Sequence, residues 1–118
     1  MDLESAFQTH AVWIEEFCTA IFKQDALDAT TYEKDNYCAL GQWLHSEGKT
    51  KYGKLNAYTD LISSHAEFHK AAGRVAQAIH EKNFGQAENL LSEAGEYAVA
   101  SNAVRLAISK FKEEAQLF

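Results

Sequence analysis

Leu3, Phe7, His10, Ile14, Phe17 and Ile21 follow one another at alternating steps of four and three. A run of that period cannot line one side of a strand. It lines one face of a helix, and predicts a long helix over residues 2 to 23. A second stripe, Ile62, His65, His69, Ala72, Ala76 and Ile79, is widened by Tyr58, Leu61, Phe68 and Val75 and predicts a helix from Leu55 to about Asn83. A third runs from Ala87 through Leu91, Ala94, Ala98, Ser101, Val104, Ile108 and Phe111 to Ala115, and predicts a helix over about 86 to 116. Its alanine-rich upper half suits close helix contacts. No proline interrupts these runs. Gly73 and Gly95 fall inside two of them at ~1 kcal/mol each relative to alanine, which close approach of another helix or weak local helix would explain. The expected fold is all-α: an antiparallel four-helix bundle of three long helices and one short one, a single domain over residues 1–118.

The short helix is the segment Cys38-Ala39-Leu40-Gly41-Gln42-Trp43-Leu44. Asp35 and Asn36 are good N-cap residues, which places Cys38 in the first turn, where the helix dipole favours thiolate over thiol. Leu40, Trp43 and Leu44 form its apolar face, and Gly41 beside them admits another backbone. The helix is expected to stop at Gly48, followed by a polar loop from Lys49 to Lys54. Ahead of it, Gln24 to Tyr37 loses the apolar pattern and reads as a connection, with a turn of helix near Ala26–Ala29.

A net charge of −6, with no basic run, argues against nucleic acid or an anionic membrane surface as partner. No apolar run approaches the ~18 residues of a membrane span, and no signal peptide opens the chain. Two cysteines in such a chain imply a reducing compartment, where thiols serve metals or redox chemistry; the expected location is the cytoplasm.

His65 and His69 are four apart, so both imidazoles leave one face of a helix one turn apart, a spacing that suits capture of one metal ion. The alternative is a pair of core-edge histidines, but the stripe turns both inward, where unpartnered imidazoles would cost several kcal/mol. His10 is a third inward histidine, from another helix. Three histidine nitrogens and the Cys38 thiolate make a closed four-donor set that zinc accepts in tetrahedral geometry. A closed set leaves no position for substrate water, so the chain is not expected to be an enzyme. Cys18 stands eight residues after His10, roughly 12 Å along the helix, too far to share the ion, and reads as a small buried residue beside Phe17. His45 and His80 read as structural. His65-Ala66-Glu67-Phe68-His69 lacks the glutamate directly after the first histidine that a metalloprotease motif needs. A di-iron bundle would need inward carboxylates, and Glu15, Glu16 and Glu67 lie off the stripes.

These residues resemble the chemoreceptor zinc-binding domain family, a bacterial cytoplasmic sensor module. The likeness rests on His10 with Trp13, on Cys38-x-Leu40-Gly41-x-Trp43-Leu44, and on His65-x-x-x-His69, in order and spacing over nearly the whole chain. It implies a helical homodimer with one Zn²⁺ per chain on His10, Cys38, His65 and His69, supported by Trp13, Leu40, Gly41 and Trp43. It also implies a sensory role in chemotaxis receptors or diguanylate cyclases, with Cys38 as a redox switch that answers zinc or oxidants such as hypochlorous acid. The chain carries no signalling hairpin or cyclase domain, so it is expected to be a sensor excised from a longer signalling protein or a stand-alone copy. The alternative role is a structural, zinc-stabilised dimerisation module that does not switch.

Overall fold

The computed structural model describes residues 3–23, 32, 39–92 and 94–115, without the side chains of residues 4, 6, 9–11 and 39. Among these residues the chain is all-helical: α1 (Leu3–Lys23), α2 (Ala39–Leu44), α3 (Glu47–Tyr52), α4 (Asn56–His80), α5 (Phe84–Leu91) and α6 (Glu96–Ala115). The connection over residues 24–37, save Tyr32, and the first-turn position of Cys38 lie outside the described residues.

α4 is the element around which the others pack. Its 25 residues span roughly 37 Å, most of the molecule's 43 Å length. Between Ala71 and Ile79 only Arg74 and Gln77 reach solvent, so this stretch is covered on nearly every side. α6 runs antiparallel to it. Arg74 pairs with Glu96 near one end, while the Glu114 carboxylate accepts the Ala57 N–H at 3.5 Å near the other. That carboxylate serves the first turn of α4, whose N-cap residue, Leu55, offers no side-chain acceptor. α1 packs on α4 through Trp13, stacked on Phe68, and on α6 through Phe17, which is fully buried against Tyr97.

The stripe of α1 turns inward as expected at Leu3, Phe7, Phe17 and Ile21, but not at Ile14. Leu3, Phe17 and Ala20 are buried and Trp13 is half-buried, while Ile14 is 39% exposed. Steps of three and four permit either Trp13 or Ile14 as the bridge between residues 10 and 17, and the wider indole wins the interior position. Cys18 is exposed, correcting the expectation of a buried thiol. It lies ~100° around the helix from Phe17, on the side that also carries Thr19 and Phe22.

The helix expected to carry Cys38 does not run on to Gly48. α2 ends at Leu44, where the Ser46 hydroxyl donates to the Gln42 carbonyl at 2.6 Å and the Tyr58 hydroxyl donates to the Leu44 carbonyl at 2.6 Å. Both bonds satisfy last-turn acceptors that have no partner within the helix. Gly48 lies within α3 beneath the Trp43 ring, where a Cβ would come within 2.9 Å of the indole. The expected polar loop therefore contains helix, closed at Gly53, whose N–H donates to the Lys49 carbonyl at 3.0 Å.

The third predicted helix is broken in two. α4 closes with Lys82 in the left-handed region (φ 61°), the Asn83 N–H donating to Ala78 and the Lys82 N–H to Ile79. Asn83 then caps α5 by accepting the Gln86 N–H. After Ser92 the chain turns again, and Gly95 leads into α6. A Cβ at Gly95 would come closer than 3.0 Å to the carbonyl oxygens of Asn89 and Leu90, so the turn depends on glycine. The break takes Ala94 out of the stripe, where it is exposed, while Val104, Ile108 and Phe111 are buried as expected and Tyr97 joins their face. Gly95→Ala is expected to lower the stability of the fold by ~1 to 3 kcal/mol, because backbone rather than a mobile side chain must give way. Urea denaturation measures it, and an unchanged midpoint would show that the turn relaxes freely.

Candidate metal centre

His65 and His69 leave the middle of α4 one turn apart and are 0% and 1% exposed, the two buried polar side chains among the described residues. Their rings meet edge to face with centroids 4.5 Å apart, and their Nε2 atoms lie 3.1 Å from each other. The i, i+4 spacing that places two leucines in contact on a core helix here brings two nitrogen donors together.

The state of His69 follows from its second nitrogen. Nδ1 lies 2.8 Å from the backbone carbonyl of Tyr32. A carbonyl only accepts, so Nδ1 carries the proton, and in the neutral ring Nε2 holds the lone pair. That lone pair points toward His65. In the absence of metal, the His65 Nε2–H can donate to it, which satisfies both atoms in the apolar interior.

Around the pair stands an aromatic wall. Trp13 meets His69 edge-on at 5.3 Å and stacks on Phe68 at 5.9 Å; Tyr32 packs edge-on to Trp13 at 5.0 Å and on Phe17 at 4.9 Å. Tyr97 closes it against Phe68 at 5.3 Å. Burial, then the hydrogen bond to Glu16 and its charge, pushes the Tyr32 phenol up to about 12. Burial first, with Glu16 and Tyr32 adding to it, raises Tyr97 still further. Both phenols are neutral at physiological pH and add no charge to the site.

Two imidazole nitrogens bound to one tetrahedral zinc ion at ~2.0 to 2.1 Å are separated by roughly 3.3 Å. The observed 3.1 Å lies close to that separation, and both rings can present Nε2 to the same point. The Nδ1–H bond to a backbone carbonyl is the usual orienting contact of a metal-ligating histidine. The pair therefore fits a zinc ion.

Among the described residues, no three His, Cys, Asp or Glu side chains form a metal-holding group. Of the other expected ligands, position 10 lies in α1 one turn before Trp13, and its side chain is outside the described residues, as is the whole of Cys38. Leu40 and Gly41 are buried, and Trp43 is half-buried against Tyr52 and Phe111, each at 6.0 Å. His45 and His80 are exposed. Two residues outside the expected set touch the site or its support: Tyr32, from a stretch that reads as polar connection, and Glu16, which lies off the α1 stripe. A lone aromatic amid Thr30, Thr31 and Glu33 was the available signal for Tyr32.

The family model of the chemoreceptor zinc-binding domain matches residues 10–76. No curated protein and no solved structure gives a significant match.

Proposed function

Because the chain belongs to the chemoreceptor zinc-binding domain family, we propose that it is a sensory module that holds one zinc ion per chain on His10, Cys38, His65 and His69. The observation that carries this reading is the buried Nε2 pair at 3.1 Å with the His69 tautomer set for metal. The match begins at residue 10 and includes all four positions. Bound zinc would hold the Cys38 sulfur as thiolate at neutral pH and supply a tie between helices. Four protein donors leave no place for substrate, so the module binds rather than catalyses.

The wider reading is an antiparallel four-helix bundle of α1, α2, α4 and α6, paired as a homodimer and coupled to a signalling output domain of chemotaxis-receptor or cyclase type. Val12 and Phe22 on α1 and Val99 and Leu106 on α6 are exposed apolar residues that support a subunit contact. No helix among the described residues is long and apolar enough to cross a membrane, which agrees with a cytoplasmic module.

In this reading Cys38 is the switch. Hypochlorous acid transfers its oxygen to the thiolate: the sulfur is oxidised by two electrons to sulfenic acid, and the chlorine leaves as chloride. Sulfenic acid is a poorer donor, so the N-terminal end of α2 loses its tie. The other end stays anchored by buried Leu44, by Trp43 and by the Tyr58 hydroxyl on the Leu44 carbonyl. α2 then tilts about its C-terminal end. The test is mass spectrometry after sub-stoichiometric hypochlorous acid on the zinc-loaded chain, with hydrogen exchange over residues 40–46. Cys38 is expected to oxidise ahead of the exposed Cys18, and exchange over α2 to rise. Oxidation of Cys18 with Cys38 untouched would leave a static, zinc-stabilised dimerisation module.

A further inference from the structure

We infer that Tyr32, held in place by Glu16, is the positioning residue for His69: its backbone carbonyl fixes the tautomer and ring plane that make His69 Nε2 a metal donor. The inference rests on the reading of His69 as a zinc ligand.

Tyr32 is bound to α1 through its side chain and to α4 through its backbone. Its hydroxyl donates to Glu16 Oε2 at 2.9 Å, and its ring packs on Trp13 and Phe17. Residues 13, 16 and 17 stand at i, i+3 and i+4, one face of α1, so all three contacts locate Tyr32 against the same helix. Tyr32 is 8% exposed. Its carbonyl, 2.8 Å from His69 Nδ1, is thereby fixed relative to α1, although His69 itself belongs to α4.

An imidazole without this contact divides between two tautomers. The one with hydrogen on Nε2 presents an N–H where the metal needs a lone pair, and must convert before binding. The Tyr32 carbonyl removes that conversion and raises the donor strength of Nε2 by drawing on the Nδ1–H bond. Glu16 carries a share of this effect without touching the imidazole. Being an exposed residue, it can be changed without opening the core.

The variants are Tyr32→Phe, Glu16→Ala and Glu16→Gln in the full chain, the last keeping an oxygen to accept from the phenol. Two-bond ¹H–¹⁵N correlation spectra of the metal-free protein report the His69 tautomer, and competition with a chromogenic chelator reports zinc affinity. His69 is expected to carry hydrogen on Nδ1 in the unsubstituted protein and to show mixed tautomers in Tyr32→Phe and Glu16→Ala. Zinc affinity is expected to fall ~10-fold in those two and to be retained in Glu16→Gln, with helix content unchanged in all three. Hydrogen on Nε2 of His69 in the unsubstituted protein, or affinities within about twofold across the set, would overturn the inference. Full zinc affinity in His69→Ala would instead overturn the ligand reading, and with it this inference; failure of the Tyr32 and Glu16 variants alone leaves the ligand reading in place.

Discussion

Alanine at His69 is expected to lower zinc affinity ~10²- to 10³-fold if, as proposed, four ligands share the ~10 to 16 kcal/mol of a structural zinc site. The same change acts on the metal-free fold. It removes the donor to the Tyr32 carbonyl and the acceptor beside His65 Nε2, both in a buried setting. Leaving such groups without partners costs ~1 to 3 kcal/mol each, unless water enters the space vacated by the ring. His65→Ala is expected to match it in metal affinity while sparing the Tyr32 contact. His45→Ala and His80→Ala, at exposed positions, should leave zinc binding unchanged. Isothermal titration with zinc, alongside urea denaturation of the metal-free variants, separates the two effects. Zinc binding of unsubstituted strength in His69→Ala would remove this residue from the ligand set.

Phe111→Ala is expected to cost ~3 to 5 kcal/mol, comparable with much of the stability of a domain this size. Phe111 is fully buried, and two further rings depend on it: Trp43 meets it edge-on at 6.0 Å and Tyr52 at 5.3 Å. Trp43 and Tyr52 also contact each other, so the three form a cluster that joins α2, α3 and α6. Truncating the central ring opens a cavity that the short helices cannot fill, because Trp43 is already confined by the backbone at Gly48. The loss should therefore concentrate in α2 and α3, seen as faster hydrogen exchange over residues 39–52, with α4 protected. Uniform acceleration along the whole chain would show that α2 and α3 do not form a separable unit.

The two long helices that carry the histidines were legible because burial repeats on them at helical period over 21 and 25 residues. Which residue turns inward was less so. Ile14 and Trp13 satisfy the spacing equally, and only packing against Phe68 and Tyr32 decides between them. Cys18, next to buried Phe17 but off the stripe, lies on the surface. The break at residues 92–95 was hidden because Gly95 counts as a modest penalty within a helix, whereas its necessity comes from two carbonyls on the preceding helix. α3 escaped because Glu47 to Tyr52 has too little apolar content to show a period; its glycine packs against an indole from another helix. The histidine pair was evident from spacing. The carbonyl that orients one of them was not, since any residue could supply a carbonyl and only the folded chain brings residue 32 to residue 69.

The placement of the two tryptophans has an optical consequence. Trp13 lies in the wall around His69, and Trp43 in the separate cluster with Tyr52 and Phe111. Both are half-buried, and the chain has no other indole. Emission from Trp13 therefore senses the imidazole and whatever binds it, while emission from Trp43 senses the seating of α2. Trp13→Phe and Trp43→Phe divide the signal, so that ligand capture and helix displacement can be timed against each other in one fluorescence experiment without an attached dye.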